Sequence, residues 1–261
     1  MPTINSANAG GDARTEPTTN GSPGAAPESA GQDLYTSGNY LELVPTWHVE
    51  ESAGKAREIL RLLDRAHLAP HSIGDIGCGA GEVLRQLQLY LPRDCELAGY
   101  DISPQAIALA HSRENRHLRF TLGDLLAEPS AHYDLLLALD VVEHLEDYFT
   151  FLRALRTRAN YTIFFFPLEI SVQTVVRPYG LLHTRDAYGH LHHFTKELAL
   201  RTLADTGYTV LDAVYTSEAL DLPTRLIGRN LLKPLRKLLF RLNRDFAVHL
   251  LGGYRLLVLA R

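Results

Sequence analysis

The sequence predicts an α/β fold in which short buried strands alternate with helices. Three observations favour it: a glycine-rich turn between a strand and a helix near residue 77, apolar runs that alternate with helical patterns, and acids that directly follow several of those runs. Such alternation is typical of βαβ units and a mostly parallel sheet. The fifth strand is expected to close at Pro167 and the sixth to span residues 207–211. Ligands of open parallel sheets bind at the carboxyl ends of the strands, so the acids are expected to meet at one edge.

The glycine-rich turn predicts a ligand site. Residues 73–81 read Ile-Gly-Asp-Ile-Gly-Cys-Gly-Ala-Gly and lead into a helical pattern. Glycines permit a tight turn and close approach of a ligand to the free N–H groups of the helix. A dinucleotide site would instead space its glycines G-x-G-x-x-G around a pyrophosphate. The acid Asp75 suits a positively charged ligand better, although a tight turn without any ligand is the alternative.

Composition limits the class of protein. The 261 residues fit one α/β domain with an appendage, or two small domains, and the net charge of −4 argues against general nucleic-acid binding. The two cysteines, Cys78 and Cys95, lack metal-ligand spacing, which favours the reducing cytoplasm. No apolar run approaches the ~20 residues of a membrane span. We therefore expect a soluble protein, at most attached to a membrane surface.

Two segments before the glycine turn have opposite character. Residues 1–33 contain almost no large apolar side chains and are predicted to be disordered. After them, Glu50 and Glu51 open a helix in which Ile59 and Leu63 keep helical spacing. Trp47, just before this helix, is expected either to border a ligand cleft or simply to anchor the helix on the sheet.

Asp101 ends the apolar run of the predicted second strand, 20 residues after the last glycine of the turn. A carboxylate there is placed to accept hydrogen bonds from both hydroxyls of a ribose. Ser103 and Pro104 follow as a helix N-cap and first helical residue. Asp101 as part of that cap is the alternative.

Four segments resemble one family. Residues 73–81 resemble motif I of the class I S-adenosylmethionine (SAM) dependent methyltransferases, and the Asp-Ile-Ser-Pro of residues 101–104 strengthens the similarity. Residues 140–147 resemble the loop after the fourth strand in methyltransferases of the ubiquinone-biosynthesis type. Residues 189–195 resemble a segment that borders the acceptor pocket in many of these enzymes.

The resemblance implies a Rossmann-like sheet of seven strands, mostly parallel with an antiparallel last strand and helices on both faces. Residues 34–261 would form the methyltransferase domain. Within it, residues 34–70 would carry an N-terminal lid helix, and residues 218–250 would form a late helical insert.

The resemblance also implies SAM as cofactor and assigns its contacts. The methionine part would lie against the glycine turn, the ribose at the second strand, the adenine after the third strand and the methionine end at the fourth strand. The implied residues are, in that order, Asp75, Gly77, Cys78, Gly79 and Gly81; Asp101 and Ile102; Asp124 and Leu125; Asp140 and Val142.

Histidines supply the candidate catalytic groups. If the acceptor is a hydroxyl, a base must remove its proton, and His144, His190 and His193 are the candidates because imidazole titrates near working pH. His144 can equally well be a structural hydrogen-bonding residue. The sequence predicts no metal site, because the histidines at 190–193 lack a cysteine or a nearby acid that completes a ligand set.

The late insert is basic and amphipathic. One helical face is apolar (Leu231, Leu235, Leu238, Leu239, Leu242 and Phe246) and the opposite face is basic (Arg229, Lys233, Arg236, Lys237, Arg241 and Arg244). Pro234 would lie in the first turn of this helix. Such a helix can lie on an anionic membrane, but the favoured interpretation is a helix that packs its apolar face on the protein's own sheet.

These observations predict a SAM-dependent methyltransferase that moves a methyl group in line to a small-molecule acceptor, with a hydroxyl expected. The alternatives are a quinone or lipid methyltransferase at the membrane surface and a SAM-binding protein without catalysis. A dehydrogenase ranks last because the glycine spacing does not suit it.

Overall fold

The computed structural model describes Tyr35, Ser37, Leu41 and residues 44–216 and 233–261. The predicted tail at residues 1–33 and the first part of the insert, including Arg229 and Leu231, lie outside the described residues.

Seven strands form one sheet. They are β1 (Ser72–Ile76), β2 (Glu96–Asp101), β3 (Leu118–Leu122), β4 (Tyr133–Leu139), β5 (Ala159–Leu168), β6 (Val210–Thr216) and β7 (Tyr254–Ala260). Their order is β3-β2-β1-β4-β5-β7-β6, and β7 runs antiparallel to both of its neighbours. The predicted seven-stranded, mostly parallel sheet with an antiparallel last strand is confirmed. The strand order reverses between β1 and β4, which places a ligand crevice at their carboxyl ends.

Helices cover both faces of the sheet, as predicted. They are α1 (Val49–Arg65), α2 (Glu82–Gln88), α3 (Pro104–Ala110), α4 (Tyr148–Leu155), α5 (Val172–Val176), α6 (Tyr179–Tyr188), α7 (Lys196–Asp205), α8 (Lys233–Leu242) and α9 (Arg244–Leu251). Helices α1, α2 and α3 pack on one face and α4, α7 and α9 on the other. In β4, Leu135 and Leu137 face the first core and Leu136 the second. Burial on both faces explains the continuous apolar sequence of this strand.

The structure corrects two predicted strands. The sixth strand, expected at residues 207–211, occupies Val210–Thr216, because Gly207 has a φ of +92° and belongs to the turn after α7. The fifth strand was expected to close at Pro167, yet β5 continues through it to Leu168. Beyond Phe165, β5 is paired on the β7 side alone, so a residue without an N–H is tolerated there.

The insert also differs from its prediction. The helix breaks at Asn243, whose side chain accepts a hydrogen bond from the Phe246 N–H and caps α9. The apolar face expected against the sheet is instead largely exposed: four side chains are 52–74% exposed, namely Leu235, Leu238, Leu242 and Phe246. Ala247 and Val248 form the buried contact of α9. Arg236, expected on the basic outer face, donates to the Gly252 carbonyl.

Candidate functional site

A cavity of about 540 Å³ opens at the carboxyl ends of the central strands. Its volume lies in the range of small-molecule and cofactor sites. It is lined by ten of the residues selected from the sequence: Asp75, Gly77, Cys78, Gly79, Asp101, Ile102, Asp124, Asp140, His144 and His190. Gly81, Leu125, Val142 and His193 are not among the lining residues; the side chains of Leu125 and Val142 are buried in the core.

The glycines of the turn between β1 and α2 serve two different purposes. Gly77 and Gly79 have φ angles of +68° and +55° and line the cavity, so their backbone is open to a ligand. Gly81 has a φ of +75°, and a Cβ there would lie 2.3 Å from the Phe120 ring. Gly81 therefore permits α2 to start closely packed on β3 rather than forming the ligand surface.

Asp101 joins the glycine turn to the end of β2. Its Oδ2 accepts a hydrogen bond from the Gly79 N–H at 2.8 Å, and its Oδ1 accepts from the Ser103 N–H at 2.8 Å. Burial raises the pKa of this carboxyl, and the two hydrogen bonds only partly oppose the effect. Each carboxylate oxygen retains a further lone pair. Asp101 can therefore accept ribose hydroxyls while it holds the turn, and the Ser103 side chain caps α3 as predicted.

Asp75 is a buried acid without full hydrogen-bond satisfaction. It is 2% exposed, and its Oδ1 has no partner among the described residues. Burial raises its pKa to about 8. A carboxyl held in this state beside a cavity suits a ligand that brings positive charge or a donor. SAM carries both a sulfonium and an ammonium group, so this site fits the implied cofactor.

An ion-pair network at the other wall of the cavity was missed from the sequence. Lys55 of α1 donates to Asp140 Oδ2 at 2.6 Å, and Arg255 of β7 pairs with Glu51 at 2.6 Å. Burial would raise the pKa of Asp140, but Lys55 and Arg255 together outweigh it and lower the value to about 2. Lys55 lies four residues before buried Ile59, so a lysine on the apolar side of a helix was the available signal.

His144 has a defined tautomer. Its Nδ1 lies 3.1 Å from the Gly189 carbonyl oxygen and 2.9 Å from the Tyr35 hydroxyl, which itself donates to the Tyr188 carbonyl. Both neighbours thus act as acceptors, so Nδ1 carries the proton and Nε2 keeps a lone pair. Burial, with a smaller contribution from His190, lowers the pKa of His144 to about 4. The ring is therefore neutral at pH 7.

Glu169 organises the other two candidate histidines. Its Oε1 lies 3.0 Å from His190 Nδ1 and its Oε2 2.5 Å from His193 Nδ1. Burial alone would raise the pKa of Glu169, but these hydrogen bonds lower it to about 2. His190 lines the cavity, whereas His193 supports Glu169 from behind. Glu169 directly follows β5, a position where functional acids are expected, and placing the strand end at Pro167 concealed it.

Glu143 brings an unexpected acid to the histidines. It is fully buried, and neither carboxylate oxygen has a hydrogen-bond partner in the described part of the chain. Burial raises its pKa far above the usual range. Its backbone carbonyl accepts from the N–H groups of Leu191 and His192, which ties the histidine loop to the loop after β4. One donor atom each from Glu143, His144 and His190 lie within 4.8 Å of one another.

A family comparison decides the class of enzyme. Residues 75–160 match a model described as a methyltransferase domain. The chain therefore contains a methyltransferase domain of the SAM-dependent class. The matched span starts at Asp75 and includes Asp101, Asp124 and Asp140, so it covers most of the cavity wall described above. SAM as the cofactor is confirmed; the ubiquinone-biosynthesis subtype is not.

Solved structures share the fold. Magnesium protoporphyrin IX methyltransferase from Synechocystis PCC 6803, with bound S-adenosylhomocysteine (SAH), is 17% identical, with 88% of this chain and 95% of that chain covered and a TM-score of 0.56. The StiE O-MT segment, residues 961–1257, is 21% identical over 78% and 73% of the two chains, with a TM-score of 0.52. The N-methyltransferase NodS from Bradyrhizobium japonicum WM9, also with SAH, is 18% identical over 80% and 85%, with a TM-score of 0.50. No curated protein sequence matches this chain.

Proposed function

We propose that the methyltransferase transfers its methyl group to an oxygen of a small-molecule acceptor. One observation carries the proposal: His144, His190 and Glu169 line the same cavity as the glycine turn and Asp101. The solved neighbours support a small acceptor, since one is named for a porphyrin and another as an O-methyltransferase.

The cofactor contacts follow from the cavity wall. Gly77 and Gly79 would hold the methionine part, with the carboxyl of Asp75 behind them and the Lys55–Asp140 pair at its far end. Asp101, beside Ile102, would hold the ribose, and Asp124 the adenine. SAM supplies an electrophilic methyl group on a sulfonium, so the chain's own task is to position an acceptor in line with it.

The end of the cavity proposed for the methyl acceptor is rich in groups that accept hydrogen bonds. His144 presents the lone pair of its Nε2, and the Glu169 carboxylate lies beside His190. Such surroundings suit an acceptor that donates a hydrogen bond, as a hydroxyl does. These side chains form the part of the cavity that would favour release of the hydroxyl proton as the new O–CH₃ bond forms.

The cofactor site is tested by calorimetric titration of SAH into wild type and Asp101→Ala. Wild type is expected to bind in the micromolar range, and the variant to lose about 1–3 kcal/mol because the ribose hydroxyls are left unpaired. Glu128→Ala, which removes an acid outside the cavity lining, serves as the control. Equal affinity of wild type and Asp101→Ala would refute the assigned ribose site.

The acceptor class is tested by transfer of labelled methyl from SAM to matched phenols, anilines and thiols. We expect turnover of phenols and a large loss of turnover in His190→Ala with SAH affinity retained. Turnover of anilines alone would refute the oxygen acceptor while leaving the methyltransferase assignment in place.

A second candidate, transfer at a membrane surface, is favoured by the exposed apolar side of α8 and α9. Leu238 and Leu242 are 53% and 74% exposed, and Arg241 and Arg244 lie nearby in the sequence. No helix in the described residues is long and apolar enough to cross a membrane. Binding to vesicles with anionic lipid should fall in Leu238→Glu/Leu242→Glu and persist in Leu89→Glu, which changes a comparably exposed leucine directly after α2. Equal binding by both variants would refute this candidate.

A further inference from the structure

Glu143 requires an explanation that the proposed function does not give. A fully buried carboxyl group normally accepts hydrogen bonds, because burial without partners is energetically unfavourable. Both oxygens of Glu143 lack such partners among the described residues, while its backbone is well bonded. The chain thus holds this side chain in a fixed place without satisfying it. Its Oε1 lies 4.0 Å from His144 Nε2.

The two neighbouring imidazoles are arranged as metal ligands usually are. Metal-binding histidines donate one ring N–H to a carbonyl or carboxylate, which fixes the tautomer and leaves the other nitrogen free for the metal. His144 directs Nδ1 to the Gly189 carbonyl, and His190 directs Nδ1 to the Glu169 carboxylate. The two rings lie 4.8 Å apart, centroid to centroid.

The separations require little adjustment. Donors at about 2.1 Å from one tetrahedral ion lie about 3.4 Å apart. One donor each from Glu143, His144 and His190 lie within 4.8 Å of one another, so side-chain movements of about 1 Å would bring them into range. The backbone bonds from Leu191 and His192 to the Glu143 carbonyl keep the two contributing loops together.

We propose that Glu143, His144 and His190 bind a divalent transition-metal ion at the wall of the cofactor cavity. Two imidazoles and one carboxylate suit Fe²⁺, Co²⁺ or Zn²⁺ better than Mg²⁺ or Ca²⁺, which prefer oxygen ligands. The sequence predicted no metal site because no acid lies near the histidines at 190–193. The fold supplies the acid from the loop after β4.

The role of the ion rests on the proposed oxygen acceptor. Three protein ligands leave at least one coordination position open, and an acceptor hydroxyl bound there would release its proton to solvent more readily. The oxygen lone pair then forms the O–CH₃ bond, the C–S bond breaks, and its electron pair remains on sulfur. The products are the methyl ether and SAH.

The test uses tag-free full-length protein stripped with a chelator and titrated with Co²⁺ alone, followed by visible absorption and calorimetry. We expect one Co²⁺ per chain in or below the micromolar range and far weaker Mg²⁺ binding. Glu143→Gln and His190→Asn should weaken Co²⁺ binding at least about 100-fold. Glu169→Gln should weaken it about 10–100-fold, because His190 Nδ1 loses its hydrogen bond to a carboxylate. His192→Asn, on the same loop but outside the donor set, is the matched control.

SAH titration of the same samples separates the two proposals and verifies folding. Glu143→Gln that binds SAH normally but no longer Co²⁺ supports the metal site. Wild type that binds SAH but shows no saturable Co²⁺, or Glu143→Gln that binds Co²⁺ as wild type does, overturns it. If wild type binds Co²⁺ but methylates none of the oxygen acceptors, the metal site stands and the proposed oxygen acceptor is refuted.

Discussion

At the residue scale, this cavity depends on carboxyl groups that the fold places in different states. Asp140 and Glu169 are ionised by direct donors, Lys55 for the first and two histidines for the second. Asp75 and Glu143 are more deeply buried, and both have carboxyl oxygens without a hydrogen-bond partner among the described residues. The first pair has its partners within the protein, whereas the second pair would gain partners from the cofactor and the metal ion that we propose.

The buried carboxyl group of Asp75 leads to a prediction about the stability of the cofactor-free protein. The Asp75 pKa of about 8 in the folded chain lies far above the usual aspartate value of 3.8. A raised pKa means that its contribution to stability is fully present below pH 3.8 and is lost as the pH rises through about 8. Asp75→Asn should therefore be more stable than wild type at pH 8.5, by at least about 1 kcal/mol, with less difference at pH 5.

Urea unfolding at the two pH values measures this difference, and the exposed Asp186→Asn is the control. SAH binding should weaken in Asp75→Asn, because the variant lacks the carboxyl group that we propose to lie beside the methionine part of the ligand. A variant less stable than wild type at pH 8.5 would show that Asp75 is satisfied in solution.

At the element scale, the conformation of the turn from β1 to α2 follows from its glycines, whereas the loop from β4 to α4 is held by contacts with distant parts of the chain. The glycine turn is recognisable in the sequence because residues with positive φ favour glycine. The loop after β4 contains Asp140 with a φ of +53°, which sequence reasoning does not reveal. Its conformation depends on Lys55 from α1 and on the histidine loop, both distant in sequence.

Gly81 and Gly180 allow a matched comparison of one glycine that packing requires and one that it does not. Gly81→Ala should destabilise the protein by at least about 2 kcal/mol, because the new Cβ meets the Phe120 ring at 2.3 Å and φ is +75°. Gly180→Ala in α6 meets no atom closer than 4.0 Å and should be neutral or stabilising by up to about 1 kcal/mol. Equal unfolding midpoints in urea for the two variants would contradict the packing assigned to Gly81.

At the scale of the whole molecule, the sheet brings together side chains from most of the chain length. Lys55 and Arg255, separated by 200 positions, contact the same acidic network from α1 and β7. Helix α1 thereby closes one wall of the cavity, consistent with its expected position over the cofactor. The exposed apolar side of α8 and α9 takes no part in this acidic network and contributes little to the core of the sheet.

Acid stability of the molecule should depend on Glu82. Its carboxylate binds Arg85, Gln86 and Arg113 and so joins α2 to the residues after α3. Burial alone would raise its pKa, but these donors lower the value from 4.5 to about 2. The stabilisation is therefore present above pH 4.5 and is lost as the pH falls towards 2.

Glu82→Gln should cost about 1–3 kcal/mol at pH 7, with a difference from wild type that shrinks below pH 4. Urea unfolding across this pH range measures it, and Glu146→Gln, which changes an exposed acid after β4, is the control. A difference that stays constant down to pH 3 would contradict the assigned network.

The sequence by itself determined the order of strands and helices, the glycine turn, and Asp101 and Asp140 at strand ends. These features are local: hydrophobic period, backbone freedom and the position of an acid after a buried strand are all visible within about ten residues. Predicted strand ends were wrong where a neighbouring strand sets the end. Pro167 is an example: β5 continues through it because β4 has already ended and leaves that side of β5 unpaired.

Tertiary structure alone decided which side chains meet. Glu143, His144, Glu169 and His190 come from three loops, and the pairing of Lys55 with Asp140 joins α1 to the end of β4. The exposure of the apolar side of α8 and α9 was likewise invisible, because periodicity identifies an apolar face but not what covers it. Charge state, orphaned polar atoms and ligand-sized space depend on distances across the fold, and no local pattern records them.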